Sequence, residues 1–333
     1  MLKRIAAIVT ATLIATPLIA EVNIYSSREP QLINPILEAF TAETGIKTNI
    51  VFIKDGLIER LKAEGRRSPA DLVLTTDISN LNAVVEAGVT QVVTSDVINA
   101  NIPATFRDPD GNWFGLTSRA RVIYASVDRV AAGEVTSYED LTDPKWAGRI
   151  CTRSGSHNYN VGLLSAVVAH HGEEAAEEWL TGLKANLARK PQGNDRAQVK
   201  AIWAGVCDIA IGNTYYMGAM LQNEEQQAWA NSVSIQFPTL GDSGVHVNLS
   251  GMAMTKSSRN EEDTLRLMEF LTSEAAQTMY AELNFEYPLL ESAKASELVQ
   301  SWGDFTPDSM PLVEIAKLRP IALKIVDRVN FNE

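Results

Sequence analysis

Residues 22–53 read VNIYSSREPQLINPILEAFTAETGIKTNIVFI and decide the fold class. Val22 to Ser26 is short and mostly apolar at alternate positions, which predicts a strand. Apolar residues then recur at helical spacing from Gln31 to Thr44, and Gly45 follows as a helix-ending glycine. Residues 47–53 alternate again and predict a second strand. The stretch therefore predicts a strand–helix–strand unit of an α/β domain.

The same alternation continues along the chain in two blocks. In the first block we predict a helix at 56–65, a strand at 71–74 and a helix at 79–87. The second block predicts strands at 121–125, 149–151, 207–211, 233–237 and 245–255. Its predicted helices cover 161–171, 173–183, 195–204, 261–272, 273–283 and 311–329. We therefore expect two α/β lobes, each a mixed sheet flanked by helices, with a cleft between them.

Composition excludes several classes of protein. The chain has 333 residues, of which 45% are hydrophobic and 21% charged, so it is globular and not a coiled coil or a collagen-like repeat. Its 29 basic and 41 acidic residues give a net charge of −12. An acidic chain of this kind lacks the basic surface that a phosphate backbone requires, so we expect no nucleic-acid partner.

Residues 1–20 have the organisation of a secretory signal. Lys3 and Arg4 precede an apolar run from Ile5 to Ile14, and the composition turns polar after Ala20. The alternative is a membrane anchor, but a spanning helix needs about 20 apolar residues and this run is shorter. We expect cleavage near Ala20 and an exported, soluble mature protein.

Only two cysteines occur, Cys151 and Cys207. Two cysteines in an exported protein usually form a disulfide, and the alternative is a pair of buried free thiols. A bridge would make the strands at 149–151 and 207–211 neighbours.

Four tyrosines stand out because each lies near the end of a predicted strand or in the segment that follows it: Tyr25, Tyr159, Tyr215 and Tyr216. A single tyrosine at a strand end is usually structural, and a tyrosine pair can form an aromatic platform for a sugar or an organic cation. Several phenols converging on one cleft suit a different ligand. Phenolate is a hard anionic oxygen donor with a pKa near 10, so it needs a strongly charged metal ion to ionise it at neutral pH. A trivalent ion fits this chemistry better than Zn²⁺ or Cu²⁺.

Five segments together resemble the periplasmic ferric-iron-binding proteins of ABC importers, in the tyrosine-rich, iron-deficiency-induced branch. They are Ile24 to Arg28, Ser68 to Asp71, Ser118 to Val122, His157 to Asn160 and Asn213 to Tyr216. The resemblance implies a type II periplasmic-binding fold that captures Fe(III), or also Fe(II), and delivers it to an inner-membrane ABC permease. It implies a monomer without catalytic activity in the periplasm.

The resemblance also implies the site. Tyr25 from one lobe and Tyr159, Tyr215 and Tyr216 from the other would bind the iron, and Arg119 would lie just behind these ligands. Arg28 would either do the same or pair with a surface carboxylate.

Two other positions depart from the family. Some members carry a histidine where this chain has Glu29 and Pro30, and others use a carboxylate near Asp77. The departures favour a tyrosine-only set of protein ligands, with a water or a small synergistic anion completing the shell. His157 is close enough in sequence to Tyr159 to approach the site.

The predicted domains are a signal segment at 1–20, an N-terminal lobe at 21–118 plus about 249–290, and a C-terminal lobe at 119–248 plus about 291–333. Two rival functions remain: the same fold binding an organic cation or sugar on the aromatic patch, and a secreted enzyme that uses the tyrosines as general acids. The enzyme lacks a companion base in the sequence.

Overall fold

The computed structural model describes residues 21–333, so the predicted signal segment lies outside the described residues. The strands are β1 Glu21–Ser26, β2 Lys47–Phe52, β3 Leu72–Thr75, β4 Phe114–Ser126, β5 Ile150–Cys151, β6 Ile209–Asn213, β7 Val233–Gln236, β8 Val247–Met254 and β9 Tyr287–Pro288. In the first half of the chain the helices are α1 Asn34–Thr44, α2 Leu57–Glu64, α3 Ile78–Glu86, α4 Asp96–Asn101, α5 Asn158–His171 and α6 Glu173–Ala185. The remaining helices are α7 Asp195–Trp203, α8 Tyr215–Leu221, α9 Gln227–Ala230, α10 Glu261–Leu271, α11 Glu274–Asn284, α12 Glu297–Gln300, α13 Leu312–Lys317 and α14 Arg319–Arg328.

No helix in residues 21–333 combines the length and the apolar character needed to cross a bilayer.

Strands β1, β2 and β3 are parallel, as the strand–helix alternation predicts. Ile24 of β1 is in register with Ile50 of β2 on one side and with Leu72 of β3 on the other. Strand β8 then runs antiparallel to β3. Ile24 packs with Phe40 of α1 on one face of this sheet, and the next residue, Tyr25, packs on the opposite face. The carboxyl ends of the three parallel strands meet at one edge of the sheet.

Strand β4 connects the two parts of the molecule. Its first half pairs with β8 as far as Ala120, and its second half pairs with β6 from Arg121 onwards. The sequence predicted only residues 121–125 of this strand. Its first half contains Gly115, Thr117 and other small or polar residues that hide the strand pattern, although every residue of β4 is buried. The strand order is β2-β1-β3-β8-β4-β6-β5, with β7 and β9 also paired to β4.

We use "first lobe" for residues 21–118 and 249–290, and "second lobe" for residues 119–248 and 291–333. The first lobe packs one hydrophobic cluster on each face of its sheet. The main cluster of the second lobe surrounds β4 and β6 and extends to Leu81 of α3 in the first lobe. Helix α3 packs against α13, so the lobes touch away from the strands that join them.

The predicted C-terminal helix at 311–329 is two helices instead of one. Helix α13 ends at Lys317 and α14 begins at Arg319, with Pro320 in the first turn of α14. Proline lacks the N–H that would continue an earlier helix, so it is tolerated in the first turn of a helix but not in the interior of one long helix. The sequence prediction of one helix was therefore wrong at this point.

The structure confirms the disulfide between Cys151 and Cys207, whose Cα atoms are 5.9 Å apart. Cys151 ends β5, and Cys207 lies just before β6. The two strands are parallel neighbours, with Ile150 opposite Ile209. The bridge therefore joins the strands that lead to Tyr159 and to Tyr215 and Tyr216.

Candidate metal centre

Tyr215 and Tyr216 are the first two residues of α8. The sequence predicted a strand at 207–211 followed by a loop, but β6 runs from Ile209 to Asn213 and a helix follows at once. The two tyrosines are therefore fixed by helical backbone, next to the end of a buried strand. Their rings lie 4.3 Å apart between centroids, at an interplanar angle of 36°.

Tyr159 lies in the first turn of α5 rather than in the predicted loop. The ring nitrogen Nδ1 of His157 accepts a hydrogen bond from the backbone N–H of Tyr159 at 3.2 Å, which caps the helix. Imidazole is not among the usual capping side chains, so the start of this helix was hidden in the sequence. The cap fixes the direction in which Tyr159 leaves the backbone.

The structure brings three of the four predicted tyrosines together. The Tyr215 hydroxyl donates to the Tyr159 hydroxyl oxygen at 3.0 Å. All three tyrosines are half-buried. Burial, reinforced by the neighbouring phenols, raises the pKa of Tyr215 well above its usual value and the pKa of Tyr216 to about 12. Without a metal ion these groups are neutral at physiological pH.

Tyr25 has different surroundings. Its side chain is buried in the first lobe, and its hydroxyl donates to both carboxylate oxygens of Glu64 at 3.0 Å. The guanidinium carbon of Arg60 lies 4.5 Å from its ring centroid. Burial and the Glu64 carboxylate raise the pKa of Tyr25. The structure thus gives the Tyr25 hydroxyl a partner in its own lobe and does not bring it into contact with the other three phenols.

Arg119 lies beside the tyrosine cluster, as the resemblance implies. Its guanidinium carbon is 6.0 Å from the Tyr159 ring centroid, and its Nη1 donates to the hydroxyl oxygen of Ser250 at 3.0 Å. The side chain is 1% exposed, yet its Nε and Nη2 have no hydrogen-bond partner among the described residues. A buried guanidinium with free donors is suited to receive an anion.

Arg28 forms a buried ion pair instead of a surface one. Its Nη2 lies 2.9 Å from Oε2 of Glu286, and both side chains are almost fully buried. The same nitrogen donates to Ser250, which also receives the hydrogen bond from Arg119. The two arginines therefore meet at one serine. Of the two alternatives for Arg28, the pair with a surface carboxylate does not occur, because Glu286 is buried.

Asp77 and His157 already have structural partners. One oxygen of Asp77 caps α3 by accepting from the N–H groups of Ser79 and Asn80, and the other accepts from the side chain of Asn248. The His157 ring lies edge-on to Tyr159, 4.6 Å away between centroids, so it does approach the cluster. Burial, with help from Arg153, lowers the pKa of His157 to about 4.

Sequence reasoning missed a buried ionic group beneath the tyrosines: Asp195 with its two partners Arg121 and Arg153. Arg121 stands in one of the family-like segments, but nothing in the sequence pairs it with an aspartate 74 positions later. A charged residue inside a predicted strand, where burial is expected, is the one signal that could have found it.

The arrangement offers hard oxygen donors in positive surroundings. No three His, Cys, Asp or Glu side chains cluster as metal ligands anywhere in residues 21–333. The three clustered phenols are hard oxygen donors of a different kind. Three phenolates would carry three negative charges, which suits a trivalent cation, and the free donors of Arg119 suit an accompanying anion.

Comparison with known proteins agrees with this chemistry. Residues 67–305 match the family described as bacterial extracellular solute-binding protein. Iron uptake protein A1 of Synechocystis is 42% identical, over 93% of this chain and 87% of the relative. Ferric iron-binding protein A of Mannheimia haemolytica, solved in an open conformation, has a TM-score of 0.89 and 49% identity, over 94% of this chain and 99% of that chain.

A Trichodesmium protein solved in complex with iron and citrate has a TM-score of 0.90 and 39% identity, over 94% of this chain and all of the other. These similarities confirm the predicted two-lobed, type II periplasmic-binding fold. The chain therefore belongs to the bacterial extracellular solute-binding protein family, in the branch that contains the ferric-iron-binding proteins.

Proposed function

We propose that this protein captures Fe(III) between its lobes through the phenolate oxygens of Tyr159, Tyr215 and Tyr216, and delivers it to an ABC permease in the inner membrane. The observation that carries the proposal is the convergence of three phenols, with the oxygens of Tyr159 and Tyr215 only 3.0 Å apart. Neutral phenols gain little from such crowding, whereas a shared trivalent ion would balance three phenolates.

Charge favours the ferric ion. Three phenolates and Fe³⁺ sum to zero, whereas Fe²⁺ would leave one negative charge in excess. Arg119 could offset that excess, so the site can tolerate Fe(II) without matching it as well. The preferred ligand is therefore Fe(III).

Tyr25 is the candidate for a fourth protein ligand. To bind iron, its hydroxyl would have to leave Glu64 as the lobes close. If it stays, the three second-lobe phenols leave room for a water or a small anion on the metal. The two unpartnered nitrogens of Arg119 support the anion.

An organic cation or a sugar fits the cluster less well. The guanidinium groups near Tyr159 would repel an organic cation. A sugar would need a free aromatic face, but the rings of Tyr215 and Tyr216 lie against each other and Arg196 lies 5.6 Å from the Tyr216 ring centroid. Both alternatives therefore rank below iron.

The remaining parts of the proposal follow from family membership. Solute-binding proteins of importers act outside the cytoplasmic membrane and hand their ligand to a permease without changing it, so we propose a periplasmic monomer with no catalytic activity. The lobe boundaries at about 118, 248 and 290 belong to the same proposal. Closure of the lobes around iron would present the loaded form to the permease.

Metal analysis of the protein purified from the periplasm without chelators tests the function. We expect one iron per chain and a visible phenolate-to-iron absorption band. Protein that carries no iron, and takes up none when Fe(III) citrate is added, would refute the proposal. Iron uptake without a visible band would keep iron transport but remove the phenolates as ligands.

A further inference from the structure

Three guanidinium groups surround the ring of Tyr159. The guanidinium carbon of Arg153 lies 5.1 Å from the ring centroid, that of Arg121 lies 5.8 Å away and that of Arg119 lies 6.0 Å away. A cation near an aromatic ring attracts its π electrons, and it attracts a phenolate more strongly. Arg119 has a role in the proposed site, whereas Arg121 and Arg153 have none so far.

Asp195 holds these two arginines in place. It is fully buried at the first position of α7, and its Oδ1 accepts a hydrogen bond from Nη1 of Arg121 at 2.5 Å. Its Oδ2 accepts from Nη1 of Arg153. Burial alone would raise the pKa of Asp195, but the two guanidinium groups outweigh burial and hold that pKa below its usual value.

The same group of side chains ties down both tyrosine-bearing segments. The backbone N–H of Asn213, two residues before Tyr215, donates to Asp195 at 3.1 Å. Arg121 donates to the side-chain oxygen of Asn213 at 2.9 Å and to that of Asn160 at 2.6 Å. Asn160 is the neighbour of Tyr159. One buried carboxylate therefore links the start of α5 to the start of α8.

The group also carries an unbalanced charge. Two arginines and one aspartate leave one positive charge in a place where water is largely excluded, and such a charge is costly unless an anion lies near it. Tyr159 is one of the phenols beside this charge, with its ring centroid 5.1 Å from the Arg153 guanidinium carbon, and it would become anionic on binding iron.

We propose that Asp195, Arg121 and Arg153 are positioning residues of the iron site: they fix Tyr159 relative to Tyr215 and hold a surplus positive charge against the Tyr159 phenolate. The inference rests on the proposed iron binding. None of these three residues is among the proposed iron ligands.

The wavelength of the visible absorption band of the iron-loaded protein depends on this charge. A phenolate-to-iron absorption band moves an electron from the phenolate to the metal, so a positive charge near the phenolate raises the energy of the transition. Arg153→Gln removes positive charge and should shift the band to longer wavelength. Asp195→Asn removes negative charge and should shift it to shorter wavelength. A purely structural role would weaken the band in both variants without opposite shifts.

Arg153→Lys and Arg328→Gln are the matched controls. The lysine keeps the charge at 153 and should restore the wild-type wavelength, and Arg328 is a solvent-exposed arginine of α14 whose loss should not move the band. Thermal melting checks that each variant is folded. If Asp195→Asn does not fold, comparison of the band wavelengths of Arg153→Gln and Arg153→Lys tests the inference on its own.

An unshifted band in Arg153→Gln, with wild-type iron content, would overturn the inference and leave iron binding intact. Absence of the band from the wild-type protein would instead count against phenolate ligation itself.

Discussion

At the scale of single residues, two hydroxyl groups from different helices share one hydrogen bond. The Tyr215 hydroxyl donates to the Tyr159 hydroxyl oxygen, so the proton of Tyr159 is not used in this hydrogen bond. Replacing these protons with one trivalent ion changes three neutral, partly desolvated groups into anions around a cation. If the proposed function holds, the ligand displaces these protons, and its affinity should depend on every phenol and on pH.

The double variant Tyr215→Phe/Tyr216→Phe should lose tight Fe(III) binding. Removing a residue that hydrogen-bonds to a metal ligand typically weakens metal affinity by about 10- to 100-fold. Removing two direct ligands should therefore weaken Fe(III) affinity by more than about 100-fold. Isothermal or absorbance titration with Fe(III) citrate measures the effect.

Two single variants make this test specific. Tyr280→Phe removes a buried hydroxyl that has no partner among the described residues and should leave iron binding unchanged. Tyr25→Phe removes the bond to Glu64 and should keep most of the iron affinity, at a cost of about 1 kcal/mol of stability. Loss of binding in Tyr25→Phe, with binding kept in the double variant, would move the site to the first lobe.

Iron should leave the protein as the pH falls. The pKa values of Tyr215 and Tyr216 are raised, so protons bind these phenols more tightly than they bind free tyrosine and compete with the metal. Each phenol displaced should weaken binding by up to about tenfold per pH unit.

His157 and His246 do not supply this pH dependence. Burial lowers the pKa of His157 to about 4 and that of His246 to about 3, so both stay neutral at mildly acidic pH. Iron content and absorbance measured on dialysis from pH 8 to pH 5 test the prediction. Retention of iron with an unchanged band over that range would argue against phenolate ligands.

At the scale of elements, the disulfide acts on the two segments that carry the tyrosines. It joins β5 to the residue before β6 and closes a loop with a sequence separation of 56 residues. In the chain-entropy model such a loop contributes about 4 kcal/mol. Cys151→Ala/Cys207→Ala should therefore lower the free energy of unfolding by about that amount and weaken iron binding.

Chemical denaturation with and without reductant measures the contribution of the bridge. The reduced wild-type protein should resemble the double alanine variant, and thiol titration of the denatured, unreduced wild-type should find none. Equal stability of all forms would show that the bridge does not hold these strands.

Helix α8 also depends on a glycine. A Cβ on Gly218 would lie 2.2 Å from Cγ of Phe285, which belongs to the first lobe and has a positive φ of 56°. The two cannot separate without moving α8 or the end of α11. Gly218→Ala should therefore push the tyrosine-bearing helix away from the first lobe, weaken iron binding and enlarge the radius of gyration of the iron-loaded form.

Gly162→Ala in α5, the helix that carries Tyr159, is the matched control. A Cβ there meets its nearest atom, Nε2 of His246, at 3.6 Å, which is ordinary contact. Alanine favours helix over glycine by about 1 kcal/mol, so this variant should be as stable as the wild type or more stable. Equal iron affinity and equal scattering profiles in both glycine variants would contradict the role given to Gly218.

At the scale of the whole molecule, two lobes share strand β4 and the site lies where that strand changes partners. Arg119 pairs through its backbone with β8, and Arg121 pairs with β6. The alternation of strands and helices made this α/β architecture predictable, since apolar periodicity shows burial directly. The changeover itself was hidden, because the first half of β4 is buried with small and polar side chains.

The tyrosine cluster was predictable in part for a similar reason. Their positions after predicted strands indicated that Tyr159, Tyr215 and Tyr216 would lie together, because strand ends gather at one edge of a sheet. Tyr25 is the last residue but one of β1, and the alternation along that strand turns it to the face that holds Glu64. The Asp195 group joins three distant segments, and only the folded chain brings such a group together.

Titration of the iron-free wild-type chain with Fe(III), followed by visible absorbance, tests whether phenolates hold ferric iron in this protein. Phenolate ligation predicts a phenolate-to-iron band that grows linearly and saturates at one iron per chain. Iron that binds without this band, or a band that the Tyr215→Phe/Tyr216→Phe variant retains in full, would contradict it.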